Sequence, residues 1–88
     1  MVQDNFRFTE QDKAKVNRIL FEEKIIPDFG GKKPCKTGRQ DGVKYYFDDG
    51  SFVICRFSGT EPLLRIFAEA ETEEKAAALI QSVKNAVL

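Results

Sequence analysis

With 88 residues the chain has room for one domain and one two-layer core, and is too short for a deep interdomain cleft of its own. Its 14 Lys and Arg balance its 14 Asp and Glu. That neutrality argues against non-specific nucleic-acid binding, which rests on many phosphate contacts, and against a polybasic membrane anchor. There is no histidine, so the commonest general base near neutral pH is missing. Catalysis would need a tuned carboxylate, lysine or cysteine, and none stands in a constellation with a second catalytic group. Cys35 and Cys55 lack zinc spacing, so no zinc or c-type haem site is expected. No apolar run approaches the roughly 20 residues of a membrane span. The stretch "MVQDNFRF" has no basic flank followed by an apolar core, so it does not read as a signal peptide. A cytoplasmic protein with reduced thiols is expected.

Residues 1–8 are mixed in character and read as a linker. Thr9 is an N-cap candidate, with Glu10 and Asp12 in the following turn, where the helix dipole favours negative charge. Val16, Ile19 and Leu20 recur at helical spacing with Phe21 beside them, and Pro27 ends the pattern. "DFGGKKP" is a loop hinged at Gly30-Gly31. Residues 32–39 read as a short edge strand, kept from the sheet centre by Pro34. "VKYYFDDGSFVICRF" reads as a hairpin around a two-residue Asp49-Gly50 turn, and residues 63–69, "LLRIFAE", make a further strand. Thr72 caps the last helix, with Glu73 and Glu74 in its first turn and Lys84 near its C-terminal end. Ala76, Leu79, Ile80, Val83 and Val87 lie on one face of it.

The expected fold class is α+β: an antiparallel sheet of three to four strands with two helices on one face. Phe52 and Ile54 alternate with Val53 and Cys55, so both sheet faces are apolar. One face covers the helices. The other either meets a second domain or partner, or carries its aromatics half-exposed.

The stretch "CRFSGTEPLLR", residues 55–65, carries more hydrogen-bonding chemistry than a hairpin turn needs. An antiparallel pair joined through residues 57–62 brings Arg56 and Arg65 toward the same end of the sheet. A guanidinium offers a planar fork that fits phosphate or carboxylate with two bonds. Ser58 and Thr60 add hydroxyl donors, and Gly59 allows a sharp turn whose amides converge on an anion. Pro62 stiffens the loop's exit. Glu61 would repel a phosphate, so its expected part is to orient an arginine or to accept from a neutral hydroxyl of the guest. From the residues alone, a phosphate site and a solvated hairpin are both open.

"RFSGTEPLLRIFAEA" resembles the C-terminal signature of the α-D-phosphohexomutases, the phosphoglucomutase and phosphomannomutase family. Arg56, Ser58, Gly59, Thr60, Glu61, Pro62 and Arg65 match its Arg-x-Ser-Gly-Thr-Glu-Pro and following arginine. "GGKK" and "DGVKYYFDDGS" resemble the lead-in of bacterial members, so the likeness runs over about residues 30–71, with the flanking helices matching by position. The resemblance implies a four-domain enzyme that moves a phosphoryl group between O1 and O6 of a hexose through a phosphoserine and a bisphosphorylated intermediate. It implies that this chain is the fourth domain, with a TATA-box-binding-protein-like fold. Its loop would hold the phosphate not undergoing transfer through Arg56, Ser58, Gly59 and Thr60, joined by Arg65, with Glu61 and Pro62 supporting the loop. The catalytic-serine, metal-binding and sugar-selecting motifs of the family are absent from the chain. The resemblance therefore implies no catalytic residue and no bound cofactor here, with Mg²⁺ on another domain. The implied partners are a hexose phosphate and three further domains, and neither nucleic acid nor membrane. The sequence departs from the usual proline, alanine or lysine at Phe57, whose ring suits the loop if it points away from the guest. The alternatives are a free-standing anion- or nucleotide-binding module of ferredoxin-like shape, with Tyr45, Tyr46 and Phe52 available to stack bases, and a purely structural domain.

Overall fold

A computed structural model describes residues 2–24, 26–38, 42–59 and 62–87. Thr60 and Glu61 lie outside the described residues, and so does Arg39, the last residue of the strand expected over 32–39. The elements in chain order are β1 (Val2–Arg7), α1 (Glu10–Asn17) continuing into a π-helical turn (Arg18–Glu22), β2 (Lys36–Gly38), β3 (Val43–Tyr46), β4 (Phe52–Phe57), β5 (Leu63–Glu69) and α2 (Glu73–Val87). They form one antiparallel sheet in the order β1-β5-β4-β3-β2. The chain leaves one edge at β1, passes through α1 to the opposite edge at β2, and returns strand by strand to lay β5 beside β1.

The class is the expected one, but the sheet has five strands, not three to four. The extra strand is β1, drawn from the stretch read as a linker. Val2, Asp4 and Phe6 pair opposite Ala68, Ile66 and Leu64, on the helix-covered face. Asp4 lies exposed on the helix-covered face and forms an ion pair with Lys84 of α2, which holds its carboxyl below the usual carboxylate range. A charge on that face conceals the period-two pattern that marks a strand.

The helix ends follow from their caps. Thr9 Oγ1 accepts from the Asp12 N–H at 3.2 Å, and Thr72 Oγ1 from the Lys75 N–H at 3.1 Å. The first helix does not simply stop. It widens, and the Glu23 N–H donates to the Arg18 carbonyl at 2.7 Å, five residues back. The wider turn lets three consecutive residues reach the sheet: Leu20 is fully buried, and Ile19 and Phe21 pack half-buried against the core. Lys24, at φ 56°, then reverses the chain.

Val16 and Leu20 meet Ala76, Leu79, Ile80, Val83 and Val87 of α2 over Val43, Tyr45, Val53, Cys55, Leu64, Ile66 and Ala68 of the sheet. Both helices therefore share one face. Burying a side chain such as Leu20 contributes about 1.5–3 kcal/mol, so this layer carries most of the stability. Cys55 lies within it, and burial pushes its thiol up to about 12, so it stays protonated and unreactive at neutral pH. Cys35 is exposed, and both thiols are free.

The β3–β4 turn has a three-residue loop instead of the expected two. The Gly50 N–H donates to the Phe47 carbonyl at 3.2 Å and the Phe47 N–H to the Ser51 carbonyl at 2.9 Å, with Gly50 at φ 88°. Asp49 fixes this turn. Its carboxylate accepts from the Ser51 N–H at 3.0 Å, the Ser51 hydroxyl at 2.5 Å and Lys32 Nζ at 2.5 Å. The lysine and serine hold its carboxyl well below the usual range. The Asp28–Lys33 loop is thereby tied to the hairpin, with Phe29 packed edge-on against Tyr45 and Phe47 beneath.

Candidate functional site

The β4–β5 loop sits at the sheet end opposite the Asp49 turn. Strand alternation sets which face each side chain takes. Val53 and Cys55 belong to the helix-side core, so Phe52, Ile54 and Arg56 face the other way. In β5, Leu64, Ile66 and Ala68 are inward, so Arg65 and Phe67 share the open face with Arg56. Register then places Arg56 directly opposite Arg65, and Asn5 of β1 on the other side of Arg65. Both arginines are exposed, and among the described residues neither has an ion-pair partner. Like charges directly opposed on adjacent strands destabilise a sheet by a few tenths of a kcal/mol up to roughly 1. Two guanidiniums thus face outward together at a cost that no described carboxylate offsets.

The Ser58 N–H closes the loop by donating to the Leu63 carbonyl at 3.0 Å, and Ser58 is buried. Strand geometry therefore runs one residue past β4, which keeps Ser58 on the same side as Arg56. Gly59 is exposed and its φ is not left-handed. A Cβ built there would meet nothing within 4 Å. The chain bends at Gly59, and among the described residues its missing side chain leaves the approach open. The Pro62 carbonyl accepts from the Phe8 N–H at 3.1 Å, so the segment after β1 borders the loop's exit.

Further supports come from contacts between residues distant in sequence. Gly42, at φ 129°, abuts β4: a Cβ there would lie 2.5 Å from the Cys55 carbonyl oxygen and 3.1 Å from the Arg56 Cβ. Only glycine lets the start of β3 run this close to the strand that carries Arg56. Phe57 turns to the helix side, away from Arg56, and stacks on Phe21 at 5.5 Å between centroids and 27° between planes. Phe8 meets Phe57 edge-on at 5.8 Å, and Lys13 Nζ lies 5.6 Å from the ring centre. Each aromatic pair of this kind is worth about 0.5–1.5 kcal/mol beyond area burial. Phe21, Gly42, Arg56 and Phe57 border an open concavity of about 460 Å³ beside the loop.

The arrangement suits an acceptor-rich anion held by a pair of cations and hydrogen-bond donors. It contains no nucleophile–base pair among the described residues. No group of three or more Cys, Asp or Glu among them is placed to hold a metal ion. Among them, too, no helix is long and apolar enough to cross a membrane.

The fold and the loop define an α+β domain with a pair of guanidiniums displayed at one end of its sheet. The chain belongs to the phosphoglucomutase/phosphomannomutase C-terminal domain family, whose model matches residues 5–86. A phosphoglucomutase/phosphomannomutase of Thermococcus kodakarensis is 51% identical over 51 residues, covering 58% of this chain and 11% of that protein. A probable phosphoglucosamine mutase of Methanosphaera stadtmanae is 43% identical over 65 residues, 74% of this chain and 14% of the relative. A probable phosphoglucosamine mutase of Methanothermobacter thermautotrophicus is 61% identical over 36 residues, 41% of this chain and 8% of the relative. The matched stretches thus span only about a tenth of these relatives' length.

Proposed function

We propose that this chain is the phosphate-holding C-terminal domain of a phosphohexomutase. It binds the phosphate of a hexose phosphate that is not being transferred, while other domains move the second phosphoryl group between O1 and O6. The observation that carries this reading is the outward-facing Arg56–Arg65 pair beside Ser58 and Gly59, in a chain of the mutase C-terminal domain family. An anion between the two guanidiniums turns their repulsion into two charge-assisted contacts. The Ser58 hydroxyl and, by the family signature, Thr60 supply further donors, and the bare Gly59 backbone admits the phosphate closely.

Such a domain contributes positioning and charge stabilisation. In the proposed parent enzyme, three other domains supply the phosphoserine, the Mg²⁺ site and the choice of sugar in the cytoplasm. Among the described residues no carboxylate cluster is placed to hold Mg²⁺. A site that grips phosphate without touching the transferring atom accepts either end of a bisphosphate, which suits an intermediate that must turn end for end. The chain alone is expected to show no mutase turnover.

Calorimetric titration with glucose 1-phosphate tests the reading. Saturable binding with a dissociation constant of order millimolar, about 4 kcal/mol, is expected for one phosphate grip. It should be lost in Arg56→Ala and absent with glucose. Equal binding of glucose and glucose 1-phosphate would reject it.

A further inference from the structure

Phe57 lies between two residues of the proposed phosphate grip, yet takes no part in the chemistry assigned to them. We infer that Phe57 is a positioning residue: its ring, clamped between Phe21 and Phe8, fixes the end of β4 so that Arg56 and Ser58 are presented together. This rests on the phosphate-binding reading above. Alternation carries the geometry. The Ser58 N–H still pairs with the Leu63 carbonyl, so residues 56–58 keep strand geometry and Phe57 faces opposite to both neighbours. Whatever holds the ring to the helix layer holds the two ligands to the other side.

The core proper has given out at this point. Cys55 is the last fully buried residue of β4, and Phe57 is half-buried at the rim. Its neighbours come from three places in the chain: Phe21 from the π-helical turn, Phe8 from the segment after β1, and Lys13 from α1. The π-helical widening matters because it brings Phe21 to the sheet beside the fully buried Leu20. Helix end and loop are thus joined through stacked rings. Phe21 and Phe57 also border the concavity that reaches Arg56, so loosening the stack alters the wall next to that guanidinium.

The test uses Phe57→Leu, Phe21→Leu and the ring-preserving Phe57→Tyr, with inorganic phosphate as the probe. Amide NMR gives both the phosphate dissociation constant and the hydrogen-exchange rate of the Ser58 N–H, with α2 amides reporting global stability. Phe57→Leu and Phe21→Leu are each expected to weaken phosphate binding roughly three- to tenfold, the equivalent of one aromatic pair. They should also speed Ser58 exchange more than α2 exchange, and their effects on the dissociation constant should be non-additive in the double variant. Phe57→Tyr should bind as the unaltered chain does. If both leucine variants lower stability but leave the phosphate affinity and relative Ser58 exchange unchanged, the rings are packing alone and the inference falls. If the unaltered chain shows no phosphate response, the phosphate reading falls and Ser58 exchange alone decides. Selective acceleration in the leucine variants then upholds the anchor, and its absence overturns it.

Discussion

Replacing Arg65 with glutamine should make the anion-free domain more stable and the anion-bound domain less so. Register places Arg65 opposite Arg56, with no described carboxylate paired to either. Directly opposed Cβ atoms lie roughly 5 Å apart, and two unit charges at that distance in water repel by roughly 0.8 kcal/mol. The flexible side chains splay, so Arg65→Gln should gain about 0.3–0.8 kcal/mol at low ionic strength. That gain should fade at molar salt, where the screening length falls to about 3 Å. Phosphate reverses the order. At ten times its dissociation constant a ligand stabilises the unaltered chain by about 1.4 kcal/mol, and the variant, with one guanidinium fewer, should recover less than half of that. Urea melts at low salt, with and without phosphate, read both numbers. A variant less stable than the unaltered chain without anion would refute the unpaired-cation argument. Equal phosphate stabilisation of both proteins would remove Arg65 from the site.

Further expectations concern the supports. Gly42→Ala should destabilise the chain by about 1–3 kcal/mol, because its Cβ would press on the Cys55 carbonyl at 2.5 Å from a φ of 129°. Gly59→Ala, with nothing within 4 Å, should stay within about 0.5 kcal/mol of the unaltered chain in urea melts and still lose phosphate affinity. Cys55 should make stability fall with alkaline pH. Its folded thiol titrates near 12 against 9.0 for an ordinary one, so between these values the unfolded chain releases a proton that the folded chain keeps. The slope should be about 1.4 kcal/mol per pH unit, read as the difference between the unaltered chain and Cys55→Ala. Asp49 acts at the other extreme. Its carboxyl is held low by Lys32 and Ser51, so its stabilisation is present above the ordinary carboxylate range and is lost as the pH falls below it. Asp49→Asn should flatten the acid limb of the melt.

Much of the architecture was legible because local rules and the fold agree. Thr9 and Thr72 each begin a helix, and Ala76, Leu79, Ile80, Val83 and Val87 all pack inward, since a 3.6-residue period has one buried face to serve. The alternation Phe52–Cys55 fixed the faces of β4, and with them the shared face of the two arginines. What escaped depends on distant partners. The stretch "VQDNFR" conceals its helix-side pattern because Asp4 is matched by Lys84, eighty residues away in sequence. Gly42 reads as an ordinary turn glycine until the backbone of Cys55 is beside it. The π-helical turn leaves no period of its own, so the stacking of Phe21 on Phe57 was not visible. In the loop, Arg56, Ser58 and Arg65 stand out by their chemistry as candidate donors, and the face that Arg56 and Arg65 share follows from register.

The most direct test of the central claim is an amide-resolved NMR titration with glucose 1-phosphate, beside glucose and sulfate. Saturable shifts centred on Arg56, Ser58 and Gly59 are expected, which glucose does not produce and sulfate partly reproduces. Shifts absent from these residues at high millimolar glucose 1-phosphate, or centred elsewhere on the sheet, would contradict it.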